Sequence, residues 1–276
     1  SEPRQTILVT GAAGLLGSRV VPLLSRNLPD ARIIAVSRNQ NYVSHEPRVE
    51  TIHGDLRDRQ LWIELPSTIT SVIHLAAIIS WRAEQKYQAS IVTDNLSPIA
   101  NLIEYSQHWP TLQQVVYSSS ISVYGQSTVW LDECSPTQPV NLYGASKLCG
   151  EDLLACLQAK GVRTVSLRFS SLYGRGQYEG TVLPIMVDRA LRQRDILIFG
   201  DGTRTQDFLH CEDAAKSILL ALQRDADGVY NIGTGTPTTM TELAESVSRV
   251  FSNSKTRIIY QSPRDNDPGI KLDISK

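Results

Sequence analysis

Short apolar runs alternate with longer stretches of helical period along the first two-thirds of the chain. "TILVT" (6–10) is a compact apolar run ending in glycines, and "LLGSRVVPLLSRNL" (15–28) behind it repeats apolar residues at helical spacing. "RIIAVS", "VETIHG", "SVIHLAA" and "LQQVVYSSS" read as four more strands, and "RTVSLRFSSLYG" (163–174) as a sixth. Helical stretches lie between them, among them "DNLSPIANLIEYSQH" (94–108) and "ASKLCGEDLLACLQAKG" (145–161), the latter closed by Gly161. Strands that alternate with helices pair in parallel through crossovers. Runs apolar on both faces belong to a sheet covered on both sides. The pattern predicts an α/β fold, a doubly wound parallel sheet of the Rossmann type.

After Gly174 the rhythm loosens. "GRGQYEG" reads as a loop, 182–195 as a helix, 196–210 as strand, turn and strand, "CEDAAKSILLALQR" as a helix, "GVYNIG" as a strand, and 239–252 as a last helix. The expected division is a dinucleotide-binding domain over 1–174, with a return segment at about 205–232. A smaller interwoven substrate-binding lobe takes the remaining segments of 175–276.

Charge narrows the partners. Twenty-eight acids against 27 bases leave a net charge of −1, with no basic run that would favour nucleic acid. No apolar run reaches the ~18 residues of a membrane span. The four cysteines (134, 149, 156 and 211) show neither C-x-x-C spacing nor histidine pairing, and no metal site is read. A cytoplasmic protein with reduced, buried thiols is expected, Cys149 and Cys156 sharing one packed helix face.

"VTGAAGLLGSRV" sets Gly11, Gly14 and Gly17 at G-x-x-G-x-x-G, after the first strand and opening the first helix. Free amides at a helix N-terminus hold a pyrophosphate when no Cβ intervenes, so the loop points to a dinucleotide. The second strand ends in Ser37 and Arg38, where an NAD-preferring site usually places an acid. A guanidinium pairs with a 2′-phosphate and a serine adds a hydrogen bond, which favours NADP, with NAD as the other possibility. Asp55 in "HGDL" is either an acceptor for the adenine amino group or a turn aspartate.

Tyr143 and Lys147 stand four apart, on one face of a helix. An adjacent ammonium is expected to lower the phenol from its ordinary pKa near ~10, making a base for hydride transfer at an alcohol. Ser118, Ser119 and Ser120 end the fifth strand, at the sheet edge where ligands bind in this architecture. His74 lies in an apolar run and reads as a buried strand residue rather than a base.

"TGAAGLLG", "HGDL", "VIHLAA", "YSSSISVYG", "YGASK", "RFSSLYG", "FGDGTRTQDFLHCEDAA" and "VYNIGTG" follow in order over nearly the whole chain. In these pieces the chain resembles the extended short-chain dehydrogenase/reductase family, the NAD(P)-dependent epimerase/dehydratase group. The resemblance implies a catalytic set of Ser120, Tyr143 and Lys147. It implies a cofactor site of Gly11, Ala13, Gly14, Leu15, Leu16, Gly17, Leu56, Leu75, Ala76, Ala77 and Phe169, with Tyr143 and Lys147 also touching the dinucleotide. Sugar nucleotides are the implied substrates, met by Ser119, Ser120, Ser171, Arg204 and Gln206, and a homodimer is implied as the assembly. The family's 4,6-dehydratases resemble one another in an Asp-Glu pair after the catalytic hydroxyl residue; Ile121 and Ser122 stand there instead. That leaves a keto-sugar reductase, favoured by Ser37 and Arg38, or a 4-epimerase with tightly held NAD. A non-catalytic dinucleotide-sensing protein is the reading from another class.

Overall fold

The computed structural model describes residues 5–79, 88–251, 256–262 and 267–276. In chain order the elements are β1 (Gln5–Thr10), α1 (Gly17–Asn27), β2 (Ala31–Ser37), β3 (Val49–His53), α2 (Arg59–Glu64), β4 (Ser71–His74), α3 (Ala89–Tyr105) and β5 (Gln114–Ser120). Then come β6 (Trp130–Leu131), α4 (Leu142–Ala155), β7 (Arg163–Phe169), β8 (Ser171–Tyr173), α5 (Val182–Leu191), β9 (Ile196–Phe199), β10 (Thr205–Gln206) and β11 (Phe208–His210). The last are α6 (Cys211–Gln223), β12 (Gly228–Ile232), β13 (Thr238–Thr239), α7 (Met240–Val250), β14 (Ile258–Gln261) and β15 (Lys271–Leu272).

A seven-stranded sheet in the order β12-β7-β5-β4-β1-β2-β3 forms the frame, and every ladder in it is parallel. The doubly wound fold expected from the alternating pattern is present. Ile7, Leu8 and Val9 of β1 are wholly buried, because helices cover both faces. One core layer packs α1 and α6 against the sheet through Val20, Val21, Leu24, Ile218 and Leu222; the opposite layer uses Ile99 and Leu102 of α3, Leu154 of α4 and Trp62 of α2. A separate cluster of Met186, Ala190, Ile198, Leu243 and Val247 joins α5, α7 and β9.

Three local readings are corrected. The run 163–174 is two strands: β7 stays in the large sheet, whereas β8 leaves it to pair with β11, Ser171 facing Phe208. The six-residue α2 carries too short a periodic stretch to be read from pattern. Asp58 caps it by accepting the Gln60 amide, and Trp62 Nε1 donates 2.7 Å to the Leu56 carbonyl. The thiols are also not uniformly interior: Cys211 is buried, but Cys134 and Cys156 are exposed. Cys156 falls just past the end of α4, so no single helix face holds it with Cys149. No described helix is long and apolar enough to cross a membrane.

Candidate active site

The carboxyl ends of β1, β2, β4, β5 and β7 open onto one edge of the sheet, and two adjoining clefts lie there, of ≈ 660 and ≈ 370 Å3. The larger runs from Gly11, Gly14 and Gly17 past Ser120, Tyr143 and Lys147 to Ser171, Arg204 and Gln206. The smaller shares Gly11 and Gly14 and continues to Ser37, Arg38, Asp55 and Leu56. Every residue named in the sequence for catalysis, cofactor or substrate lines one cleft or both; Ala13 and Ala76 belong to the smaller, Leu15, Leu16 and Phe169 to the larger, and Leu75 and Ala77 to both.

The glycine loop is built for close approach. Gly11 has φ +70°, and a Cβ there would lie 2.7 Å from the Ala76 amide nitrogen. A Cβ on Gly17 would lie 2.7 Å from Ala12 Cα, so the loop closes on itself only with glycine. The Gly14 amide turns back to the Gly11 carbonyl at 3.0 Å. Leu16 occupies the N-cap of α1 without a side-chain cap, and of the first-turn amides Ser18 donates to the Gly14 carbonyl and Arg19 to the Leu16 carbonyl, each at 3.0 Å. A glycine cradle under an uncapped helix N-terminus fits a pyrophosphate.

At the far end of this cradle, Ser37 is buried and its Oγ accepts the Asn39 amide at 3.0 Å. Asp55 is committed more fully than its sequence context indicates. Arg57 donates to its carboxylate from Nε at 3.0 Å and Nη2 at 2.6 Å, and holds it below the usual carboxylate range. The Arg57 guanidinium also reaches Asp94 at 2.6 Å and lines the same cleft, a contact no sequence pattern flagged.

Asn141 caps α4 by accepting the Gly144 amide at 2.8 Å, which sets the first turn of this helix against the end of β5. Gly144 permits that approach, since a Cβ there would lie 3.0 Å from the Ser122 carbonyl carbon. Tyr143 is half-buried and borders the cleft with Ser120; Lys147 is buried and its Nζ lies 5.8 Å from the Tyr143 ring centroid and 4.9 Å from that of Tyr117. Ser120 Oγ in turn donates to Ser122 Oγ at 3.1 Å.

The electrostatics differ from the expected acidic phenol. Burial pushes Tyr143 up to about 12, with only the Ser120 hydrogen bond pulling against it. Burial likewise pushes Lys147 down to about 7, with Glu151 opposing. The ammonium is turned to the Ser118 carbonyl, 2.6 Å away, rather than to the phenol oxygen. His74 is buried, stacked 5.9 Å from Tyr117 and bonded to Thr10 Oγ1 at 2.9 Å; burial pushes it down to about 3, so it stays neutral.

On the substrate side, Ser119 is a correction. Its hydroxyl is buried and donates to Glu151, so the side chain is committed to the interior although the residue borders the cleft. Arg204, one residue before β10, lies beside Gln206: Arg204 Nη1 donates to Gln206 Oε1 at 3.0 Å, and Gln206 Nε2 donates to Ser171 Oγ. Asp267, not singled out by sequence, holds Arg204 Nε at 2.9 Å and lines the cleft beside it.

A family model described as the NAD dependent epimerase/dehydratase family matches residues 7–233. A protein of Methanocaldococcus jannaschii named "Putative UDP-glucose 4-epimerase" is 32% identical over 98% of this chain and 90% of its own length. Among solved structures, a UDP-N-acetylglucosamine 4-epimerase from Methanobrevibacter ruminantium in complex with UDP-N-acetylmuramic acid superposes with a TM-score of 0.88. It is 26% identical, covering 98% of this chain and 90% of that one. A UDP-glucuronic acid 4-epimerase mutant from Bacillus cereus, in complex with a 4-deoxy-4-fluoro UDP-glucuronic acid and NAD, has a TM-score of 0.86 at 25% identity. That comparison covers 98% of this chain and 91% of the other.

Proposed function

Because the chain belongs to the NAD dependent epimerase/dehydratase family, we propose that it is a nucleotide-sugar 4-epimerase that keeps its nicotinamide dinucleotide through the cycle. The observation that carries the reading is one continuous cleft joining the Gly11–Gly17 cradle to the Tyr143–Ser120 pair and to the polar cluster of Ser171, Arg204 and Gln206. Keto-sugar reduction, favoured from Ser37 and Arg38 alone, gives way to 4-epimerisation because the relatives described above carry that activity in their names. Ile121 and Ser122, which border the cleft without a titratable side chain, speak against a 4,6-dehydratase.

When bound, the dinucleotide supplies the hydride acceptor and donor and a positive ring that favours an ionised neighbour. The chain's own groups manage the proton. Tyr143, having released its own proton to solvent beside that positive ring, would take the proton from the sugar hydroxyl at Oη and return it, and Ser120, next to that phenol, orients the same oxygen. Lys147 holds the ribose side of the cleft with its ammonium, anchored on the Ser118 carbonyl. The lobe around α5, α7 and β9 supplies the sugar-nucleotide side, where Arg204, steadied by Asp267, meets the phosphates. Two copies are read as pairing through the outer faces of α3 and α4, which pack side by side and leave Leu96 and Leu153 only partly buried.

The test is turnover without added cofactor. Purified protein given a panel of UDP- and dTDP-sugars is expected to equilibrate the C4 epimers with no net change in absorbance at 340 nm. Stoichiometric bleaching of added NADPH would return the reading to a reductase.

A further inference from the structure

Beyond the phenol, the serine and the lysine, one buried carboxylate ties the catalytic helix to both strands that carry the site. Glu151 follows Lys147 by one helical turn on the same face of α4. Its carboxylate accepts Arg168 Nε at 3.0 Å and Nη2 at 2.7 Å, and also the Ser119 hydroxyl. Ser119 and Arg168 are partners across the β5–β7 ladder, so one carboxylate clamps both strands at the step before Ser120 and Phe169 enter the cleft. The pair is almost sealed: Glu151 is 6% exposed and Arg168 5%. A buried ion pair gives back little net stability for its desolvation, so packing alone does not account for it.

Resting on the 4-epimerase reading, we propose that Glu151 is a positioning residue of the reaction. Its carboxylate fixes the Ser118–Ser120 end of β5 against α4 and supplies the negative charge that keeps the Lys147 ammonium protonated. The Lys147 anchor is the Ser118 carbonyl and the hydroxyl that orients the substrate oxygen is on Ser120, so Ser119 sits between the two groups whose spacing matters. Several titratable groups face this lysine. From α4 come Tyr143 and Glu151; from β5 comes the Tyr117 ring, which Cys149 also approaches; from β4 comes neutral His74; Arg168 of β7 is paired with Glu151 behind them. Glu151 is the one of these that favours the ammonium.

The experiment uses Glu151→Gln, the charge-free pair Glu151→Leu with Arg168→Met, and Ser119→Ala, each in the full chain. The double variant leaves no orphaned guanidinium, so it stays folded if the single variant does not. Equilibrium binding of NADH to protein first freed of its retained dinucleotide, read by fluorescence from pH 5.5 to 9.5, is paired with kcat and KM on the epimerised sugar nucleotide. Wild-type affinity is expected to fall with an alkaline midpoint as Lys147 loses its proton. The midpoint should move down by about one pH unit in Glu151→Gln, which leaves the Arg168 cation unpaired, and by less in the double variant, with NADH affinity at low pH and KM held within about threefold. Ser119→Ala should keep the midpoint and lose about tenfold in kcat. A merely structural role would lower the melting temperature and leave the midpoint in place. A folded double variant with the wild-type midpoint overturns the electrostatic part, and a Ser119→Ala enzyme with full kcat overturns the strand clamp. Failure to epimerise any sugar nucleotide would sink the 4-epimerase reading and leave the NADH midpoints to decide Glu151 separately. A wild type that binds no NADH would sink both.

Discussion

Lys147 Nζ donates a 2.6 Å hydrogen bond to the backbone carbonyl of Ser118, at the strand end that also carries the Ser120 hydroxyl. The ammonium is thereby held inside the protein, and burial pushes its pKa down to about 7 from 10.5. A lysine whose folded value lies below its unfolded one binds more protons when unfolded, throughout the interval between the two. Its burial therefore destabilises the fold most below pH 7, and stability rises as pH climbs from 7 toward 10.5. Between pH 7 and 9 wild type is expected to gain on the order of 2 kcal/mol relative to Lys147→Met. Urea midpoints for the two proteins at both pH values check this; equal changes would mean the lysine titrates normally.

Tyr143 has the opposite sign. Burial pushes it up to about 12, so it rests as a neutral phenol, with Ser120 pulling the other way. Tyr143→Phe removes only the oxygen that moves the proton. Turnover should drop by ~10²–10⁴ while NADH binding stays near wild type, since the ring still fills its place. Ser120→Ala, which removes the hydroxyl that orients the substrate oxygen, should cost about tenfold in kcat. A Tyr143→Phe protein with full biological function would favour the dinucleotide-sensing reading over an enzyme.

Arg38 lines the smaller cleft, while the nearby Asp55 carboxylate is occupied by Arg57. With that carboxylate occupied, a 2′-phosphate would meet Arg38 unopposed by it, and NADP is expected to bind more tightly than NAD although a structural relative holds NAD. Arg38→Ala should weaken NADPH by about ten- to a hundredfold and leave NADH within about twofold, the difference being one charge-assisted contact. Titrating both reduced cofactors against both proteins decides it; an unchanged ratio would make Arg38 a bystander.

The parts legible in the sequence were those with a local physical signature. Gly11, Gly14 and Gly17 announce backbone approach, the apolar runs announce buried strands, and the Tyr143–Lys147 spacing announces one helical face. What stayed hidden depends on contacts between distant segments. Asp267 meets Arg204 across 63 positions, Ser119 meets Glu151 across 32, and nothing near Ser119 says that its hydroxyl turns inward. The phenol pKa was misjudged for the same reason: spacing brings the ammonium close, but burial outweighs it, and that is set by the whole fold. Local pattern also missed β8 leaving the sheet, because the change of partner to β11 is decided 37 residues later, where Phe208 comes to face Ser171.

The three loop glycines should fail in different ways, because their absent Cβ atoms face different neighbours. At Gly17 the added carbon meets the Ala12 backbone at 2.7 Å, which cannot give way, and at Gly11 it meets the Ala76 amide at the same distance with φ at +70°. Either change to alanine should destabilise the protein by roughly 2–4 kcal/mol, whether or not a dinucleotide is present. At Gly14 the nearest atom is the Gly11 carbonyl oxygen at 3.2 Å, a contact that a shift of a few tenths of an ångström relieves. Gly14→Ala should therefore fold with nearly the wild-type melting temperature, and its methyl should instead obstruct the face where the pyrophosphate lies. The expected result is a loss of about tenfold or more in NADH affinity at little cost in stability. Melting curves and NADH titrations on the three variants separate the two behaviours. If Gly14→Ala melts as early as Gly17→Ala, or binds NADH as wild type does, the cradle does not hold the pyrophosphate where its glycines place it.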